Sequence, residues 1–352
     1  MNTERHTFTG PIFLGKDLEF VEEGFVVIEG EKIIDCGEGK VGGGKKRSII
    51  PAFINAHTHT GDHLLREKCY GMNLEDACGA RGAKSNIMSS ASEEHIISGM
   101  KSAISQMVHT GTCYFTDFRE GGIQGIKQLE KALLAFKYRG VRAKIFGRPL
   151  YSGEEFLDEC DGYGARSIRG EKVAMRAGRS LGIHVCEAKS GELERALEFR
   201  PDFLVHMNSA TGDEIKKAAS SKIPVIVCPR SNKYFGLQMP DISMMLEEGI
   251  LVSLGTDNSM ANSLSMMSEM EFTARMIMKD DVSAKDILKM ATVNPAKVFG
   301  WRSGYIEKGA DANLLLFSEH FLKTPEPYAT AVLRMGAEKY DVMFGGKFVE
   351  FH

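Results

Sequence analysis

Four histidines, a glutamate and an aspartate have the types and spacing from which chemistry can be read. His57 and His59 stand one residue apart in "IPAFINAHTHT" (residues 50–60), at the end of an apolar run. In a strand, residues i and i+2 face the same way, so the two rings could hold one ion between them. The pair alone reads as readily as two polar residues closing a strand, because His-x-His recurs by chance. Three other runs end in the same manner: "IHVCEA" carries His184 and Glu187, "LVHMN" carries His206, and "VSLGTDN" carries Asp257. Each histidine taken singly could be a satisfied core residue. Together, three histidines and an aspartate are the donors that a catalytic zinc or ferrous ion takes while leaving a position open for water.

His184 and Glu187 are three residues apart, which places them on opposite faces for as long as a strand continues. The strand must therefore end between them, with Glu187 on the loop just beyond. A carboxylate there can reach over an ion without ligating it, where a proton shuttle belongs. The competing reading is a solvated loop glutamate ahead of "AKSGELER".

Distant residues converge only if the elements between them demand it. Residues 50–301 alternate short apolar runs with longer helical stretches, the pattern of βα units and a parallel sheet. Eight strand candidates follow in order: "SIIPAFINAH", "TCYFTDF", "VRAKIFG", "GYGARSI", "SLGIHVCE", "DFLVHMN", "IPVIVCP" and "ILVSLGTD". Between them lie helical segments such as "SEEHIISGMKSAISQMVHTG", "GIQGIKQLEKALLAFKYRG" and "SLSMMSEMEFTARMIMK". Eight strands over a span close to the roughly 250 residues of a (β/α)8 barrel predict that α/β fold, which gathers all its strand ends into one ring. A doubly wound sheet is the alternative, without a G-x-G-x-x-G to support it. Residues 1–49 and 302–352 read as short strands broken by Gly-containing turns, two terminal β segments that flank the barrel. Segment 61–92 lacks periodicity and follows directly on His-x-His, as a lid or substrate-contacting loop would.

Composition narrows the class. With 43% hydrophobic and 26% charged residues and a net charge of −3, the chain has no general attraction for nucleic acid or anionic membranes. The start "MNTERHTFTG" lacks the apolar core of a signal peptide, so a cytoplasmic location is expected. Seven scattered cysteines without C-x-x-C indicate neither a disulfide framework nor a cysteine zinc site, and disfavour the deaminases that carry P-C-x-x-C. Arg119 in "TDFREGG" and Arg148 in "FGRPL" also stand at strand ends, where an arginine binds a substrate carboxylate or phosphate, or pairs with Glu120 or another acid.

These residues resemble the amidohydrolase superfamily, within it the branch of cytosine, methylthioadenosine and S-adenosylhomocysteine deaminases and chlorohydrolases. "IIPAFINAHTHT", "GTCYFTDF", "IHVCEA", "VHMN", "CPRSN", "SLGTDN", "ATVNPAKVFG" and "GYIEKGADANLLLF" follow in the family's order over nearly the whole chain. The resemblance implies a TIM barrel with a small β-sandwich formed by both termini. It implies His57, His59, His184 and Asp257 as ligands of one divalent metal ion, zinc or iron. Glu187 becomes the acid/base, and His206 orients the attacking water. Ser231 and Asn232 in "CPRSN" match a segment that faces the substrate, although they could as easily shape the turn after the seventh strand. The chain is short for this branch and 61–92 departs from its pattern, so no counterpart of the residues gripping a nucleoside's sugar can be placed.

The leading reading is a metal-dependent aminohydrolase that releases ammonia from an N-heterocyclic or nucleoside-like small molecule. Its other partners would be copies of the same chain. A binuclear cyclic amidase of the same superfamily needs a bridging carboxylated lysine. Lys144 is the strand lysine nearest to that role, but it lies mid-run. A barrel that binds without chemistry would have no reason to keep four ligands together with Glu187.

Overall fold

The computed structural model describes residues 4–79, 81–137, 140–150, 155–167, 178–277 and 282–350. Residue 168 of the fourth strand candidate, residues 138–139 and 278–279 of two expected helices, and residues 351–352 of the terminal segment lie outside them.

The eight strand candidates supply eight parallel barrel strands. They are β1 (Phe53–His59), β2 (Thr112–Arg119), β3 (Arg142–Gly147), β4 (Gly162–Ala165), β5 (Ser180–Val185), β6 (Phe203–His206), β7 (Val225–Val227) and β8 (Val252–Leu254). Their unbroken apolar runs are those of strands covered on both faces, and every residue of β1 and β2 is buried. Neighbours in sequence pair in order from β1 to β8. Past β8, a two-residue strand, Asp257–Asn258, pairs in parallel with β1, setting Asp257 opposite Thr58 and Asn258 opposite His59. The order thus returns to its first strand, as in a TIM-like barrel.

That seam depends on two residues. A Cβ on Gly255 would stand 2.7 Å from the Cβ of His57, so the chain passes β1 only as glycine. Asn55 donates to the Thr256 hydroxyl at 2.7 Å and accepts from the Thr256 amide at 3.0 Å. Inside the barrel, Phe118, Phe146, Phe203 and Phe299 fill the space beneath the histidines. Phe118 meets the rings of His57 and His184 edge-on at centroid distances of 4.5 and 5.0 Å, giving them a rigid apolar floor. Outside, the helix Glu93–His109 buries Ile96, Met100, Ala103, Ile104 and Met107, the three-and-four spacing read from its sequence, after a cap by Ser92.

Strands from both ends of the chain form a separate eight-stranded sheet. Arg5–Leu14, Glu19–Glu29 and Lys32–Glu38 make its antiparallel N-terminal part, and Ser48–Pro51 pairs antiparallel with Leu314–Phe317. The run "SIIPAFINAH" is therefore two strands. Ser48–Pro51 belongs to the terminal sheet and Phe53–His59 to the barrel, with the Ala52 amide bonded to the Asn313 carbonyl between them. The C-terminal segment also departs from an all-β reading. The helix Pro327–Arg334 packs against the helices Met266–Ile277 and Ala284–Met290. No helix among the described residues is long and apolar enough to cross a membrane, and all seven cysteines are free.

Candidate metal centre

The strand ends place the polar residues. His57 and His59 lie two apart on β1, so their side chains share one face, and both are buried. β5 ends at Val185, one residue after His184, and Cys186 takes a left-handed φ of 50°. That turn carries Glu187 off the strand line and over the barrel mouth. His206 and Asp257 also have left-handed backbones, with φ of 80° and 57°. Such conformations cost of the order of 1 kcal/mol or more for residues with a Cβ and persist where the surroundings hold them. Of the eight non-glycine residues in that region among the described residues, Cys186, His206, Met207 and Asp257 stand at these strand ends.

The side-chain atoms converge. Nε2 of His57 lies 3.3 Å from Nε2 of His184 and 3.3 Å from Oδ1 of Asp257, which is 3.5 Å from Nε2 of His59. Donors 2.0–2.1 Å from a tetrahedral zinc stand about 3.3 Å apart, so these separations fit one ion. His206 extends the cluster through His57 and Asp257. Nδ1 of His184 bonds the Ala165 carbonyl at 2.8 Å, which leaves its Nε2 as the lone-pair nitrogen. Burial depresses the His57 pKa to about 4 and, with the neighbouring His57 and His206, that of His184 well below its usual range. Both shifts favour the neutral ring, the form that binds a metal. For Asp257, burial opposes ionisation, but the His57 hydrogen bond and the surrounding histidines hold the carboxylate well below its ordinary pKa.

A further layer orients these groups. Glu120 Oε1 approaches His59 Nδ1 at 3.2 Å and Lys84 Nζ at 2.8 Å, and Lys84 also binds Asp62 at 2.7 Å. For His59 the cost of charging a buried ring is outweighed by Glu120, which raises its pKa. Lys84 lies on the helix Ala83–Ser90, so segment 61–92 reaches into the site. Neither Lys84 nor Asp62 carries a sequence signal, since both fall in the stretch without periodicity. Ser231 donates to Asp257 Oδ2, and Asn232 donates to Asn208, whose amide holds the Glu187 carbonyl at 3.1 Å. Ser231 and Asn232 thus stand behind the site, on the short helix Pro229–Tyr234, and do not line the cavity.

That cavity, of about 780 Å³, is lined by His59, His184, His206, Glu187 and Asp257 together with Arg119 and Arg148, a volume in the range of small-molecule sites. Glu187 Oε1 is 3.6 Å from His206 Nε2, and burial raises its pKa above that of a free glutamate. Arg148 has Nη1 3.7 Å from Glu120 Oε1, whereas Arg119 donates from Nε to the Glu120 carbonyl. Lys144, within β3, does not line the cavity.

Comparison with known proteins identifies the family. The family model "Amidohydrolase family" matches residues 48–171 and 172–349. A "Putative aminohydrolase" of Archaeoglobus fulgidus is 32% identical, with 82% of this chain and 84% of that protein covered. A 5-methylthioadenosine/S-adenosylhomocysteine deaminase of Acetivibrio thermocellus is 25% identical over 94% of this chain and 87% of its own length. Among solved structures, an adenosine deaminase from Xanthomonas campestris with bound zinc superposes with a TM-score of 0.80 at 18% identity, covering 97% of this chain and 92% of that one, a likeness of fold. The chain belongs to the amidohydrolase family, as a hydrolase acting on carbon–nitrogen bonds.

Proposed function

We propose that the chain is a metal-dependent aminohydrolase that removes ammonia from an N-heterocyclic or nucleoside-like substrate. The observation that carries this reading is the convergence of three imidazole nitrogens and the Asp257 carboxylate at 3.3–3.5 Å, with Glu187 at the mouth of the same cavity. His57, His59, His184 and Asp257 would hold one divalent cation, zinc or iron. Such a cation is a Lewis acid that lowers the pKa of water toward neutrality.

The chain's own residues do the rest. His206 and Asp257 steer the attacking water and take up its proton. Glu187, with its raised pKa, carries a proton to a ring nitrogen of the amidine-like carbon. Addition of water to that carbon and loss of the C–NH₂ bond then give the keto heterocycle and ammonia. The names of the relatives favour nucleoside-like rings.

A bridged two-metal amidase finds less support. Lys84, the lysine that lines the cavity among the described residues, is held as an ammonium by Asp62 and Glu120. We also propose that residues 1–49 and 302–352 close into a small sandwich beside a barrel of residues 50–301. The apolar cluster of Phe8, Ile12, Val26, Ile28, Ile49, Leu314 and Leu316 supports this division.

The test is an ammonia-release screen of the purified, metal-loaded protein against purines, pyrimidines, pterins and their nucleosides. Release from one ring class is the expected result. Silence across all of them, with metal bound, would overturn the reading.

A further inference from the structure

Arg119 has no part in the chemistry above, yet its setting is unusual. It ends β2, is 3% exposed, and lines the same cavity as His59, His184 and Glu187. Its Nε donates to the Glu120 carbonyl at 2.9 Å. Nη1 is buried without a hydrogen-bond partner, and no carboxylate among the described residues forms an ion pair with the guanidinium. The chain makes room for this group, since a Cβ on Gly61 would stand 1.7 Å from Nη1.

Two acids of the cavity pair with other cations. Asp62 is bound by Lys84, and Glu120 is shared among Lys84, His59 and Arg148. Lys84 and Arg148 thus have ion-pair partners in these two acids, whereas Arg119 has none among the described residues. A guanidinium taken out of water is strongly unfavourable unless an opposite charge meets it. A purely structural arginine would have such a partner within the protein.

We propose that the substrate supplies the missing charge: Arg119 binds a carboxylate or phosphate group carried by the heterocycle, so the enzyme acts on anionic N-heterocycles in preference to neutral bases or nucleosides. The planar guanidinium fork matches both groups. This assignment rests on the deaminase reading and narrows its substrate class.

The experiment uses the metal-loaded protein and whichever ring releases ammonia in the screen, in three forms: neutral, with a carboxylate arm, and as a phosphate monoester. Wild-type kcat/KM is expected to favour one charged form by about tenfold or more, and which form it favours identifies the group. Arg119→Met should reduce that preference by about 10–100-fold, the effect of a charged hydrogen bond, chiefly through KM. Arg119→Lys should retain part of it. Melting temperature provides a readout independent of turnover. Without ligand, Arg119→Met should melt above the wild type, because an uncompensated buried cation is gone. Inorganic phosphate or acetate should raise the melting temperature of the wild type and not of Arg119→Met. A neutral substrate turned over as well as the charged forms, or an Arg119→Met protein that melts lower and shifts with the anions as the wild type does, overturns the anionic assignment alone. No ammonia from any form overturns the deaminase reading instead.

Discussion

At the scale of single residues, Glu187 separates a catalytic account from a structural one. It stands past the end of β5 on a left-handed turn, with Oε1 3.6 Å from His206 and outside the two groups of convergent donors. Glu187→Gln keeps the size and reach of the side chain but cannot carry a proton. Turnover is expected to fall about a hundred to ten thousand fold, with bound metal unchanged and substrate binding weakened far less. Metal loss in the variant would make Glu187 a ligand, and a wild-type rate would make it a solvated loop residue. This position was legible in the sequence because a spacing of three cannot stay on one face of a strand. Lys84 and Asp62 were not legible, because their roles come from a buried ion pair between a helix of segment 61–92 and the barrel mouth. Ser231 and Asn232 show a different limit. The motif gives no sign that the short helix Pro229–Tyr234 directs them to Asp257 and Asn208 and leaves them out of the cavity lining.

At the scale of elements, the eight barrel strands were readable because strands buried on both faces appear as unbroken apolar runs ended by polar residues. The same property hid the division of the first run. Ser48–Pro51 and Phe53–His59 are equally apolar, and only the partner strand Leu314–Phe317, far along the chain, assigns the former to the terminal sheet. The helix Pro327–Arg334 was hidden for a related reason, as it lies between β-type runs and owes its place to packing against two barrel helices. The terminal elements should consequently be indispensable. Deleting residues 308–352 removes the partner of Ser48–Pro51 and uncovers Ile49, Ile50 and the barrel helices, so insoluble protein is expected on expression. A soluble truncation with full activity would show that the two ends do not depend on each other.

At the scale of the whole molecule, closure of the barrel turns six scattered residues into one site. His57 and Asp257 are 200 positions apart, yet the pairing of Asp257–Asn258 with β1 brings their donor atoms to 3.3 Å. If this convergence holds a single metal ion, elemental analysis of the purified chain will show it. Close to one zinc or iron per chain is expected, lost in large part from His57→Ala and His184→Ala while both variants remain folded. Two tightly held metals per chain, or metal content unaffected by either substitution, would contradict it.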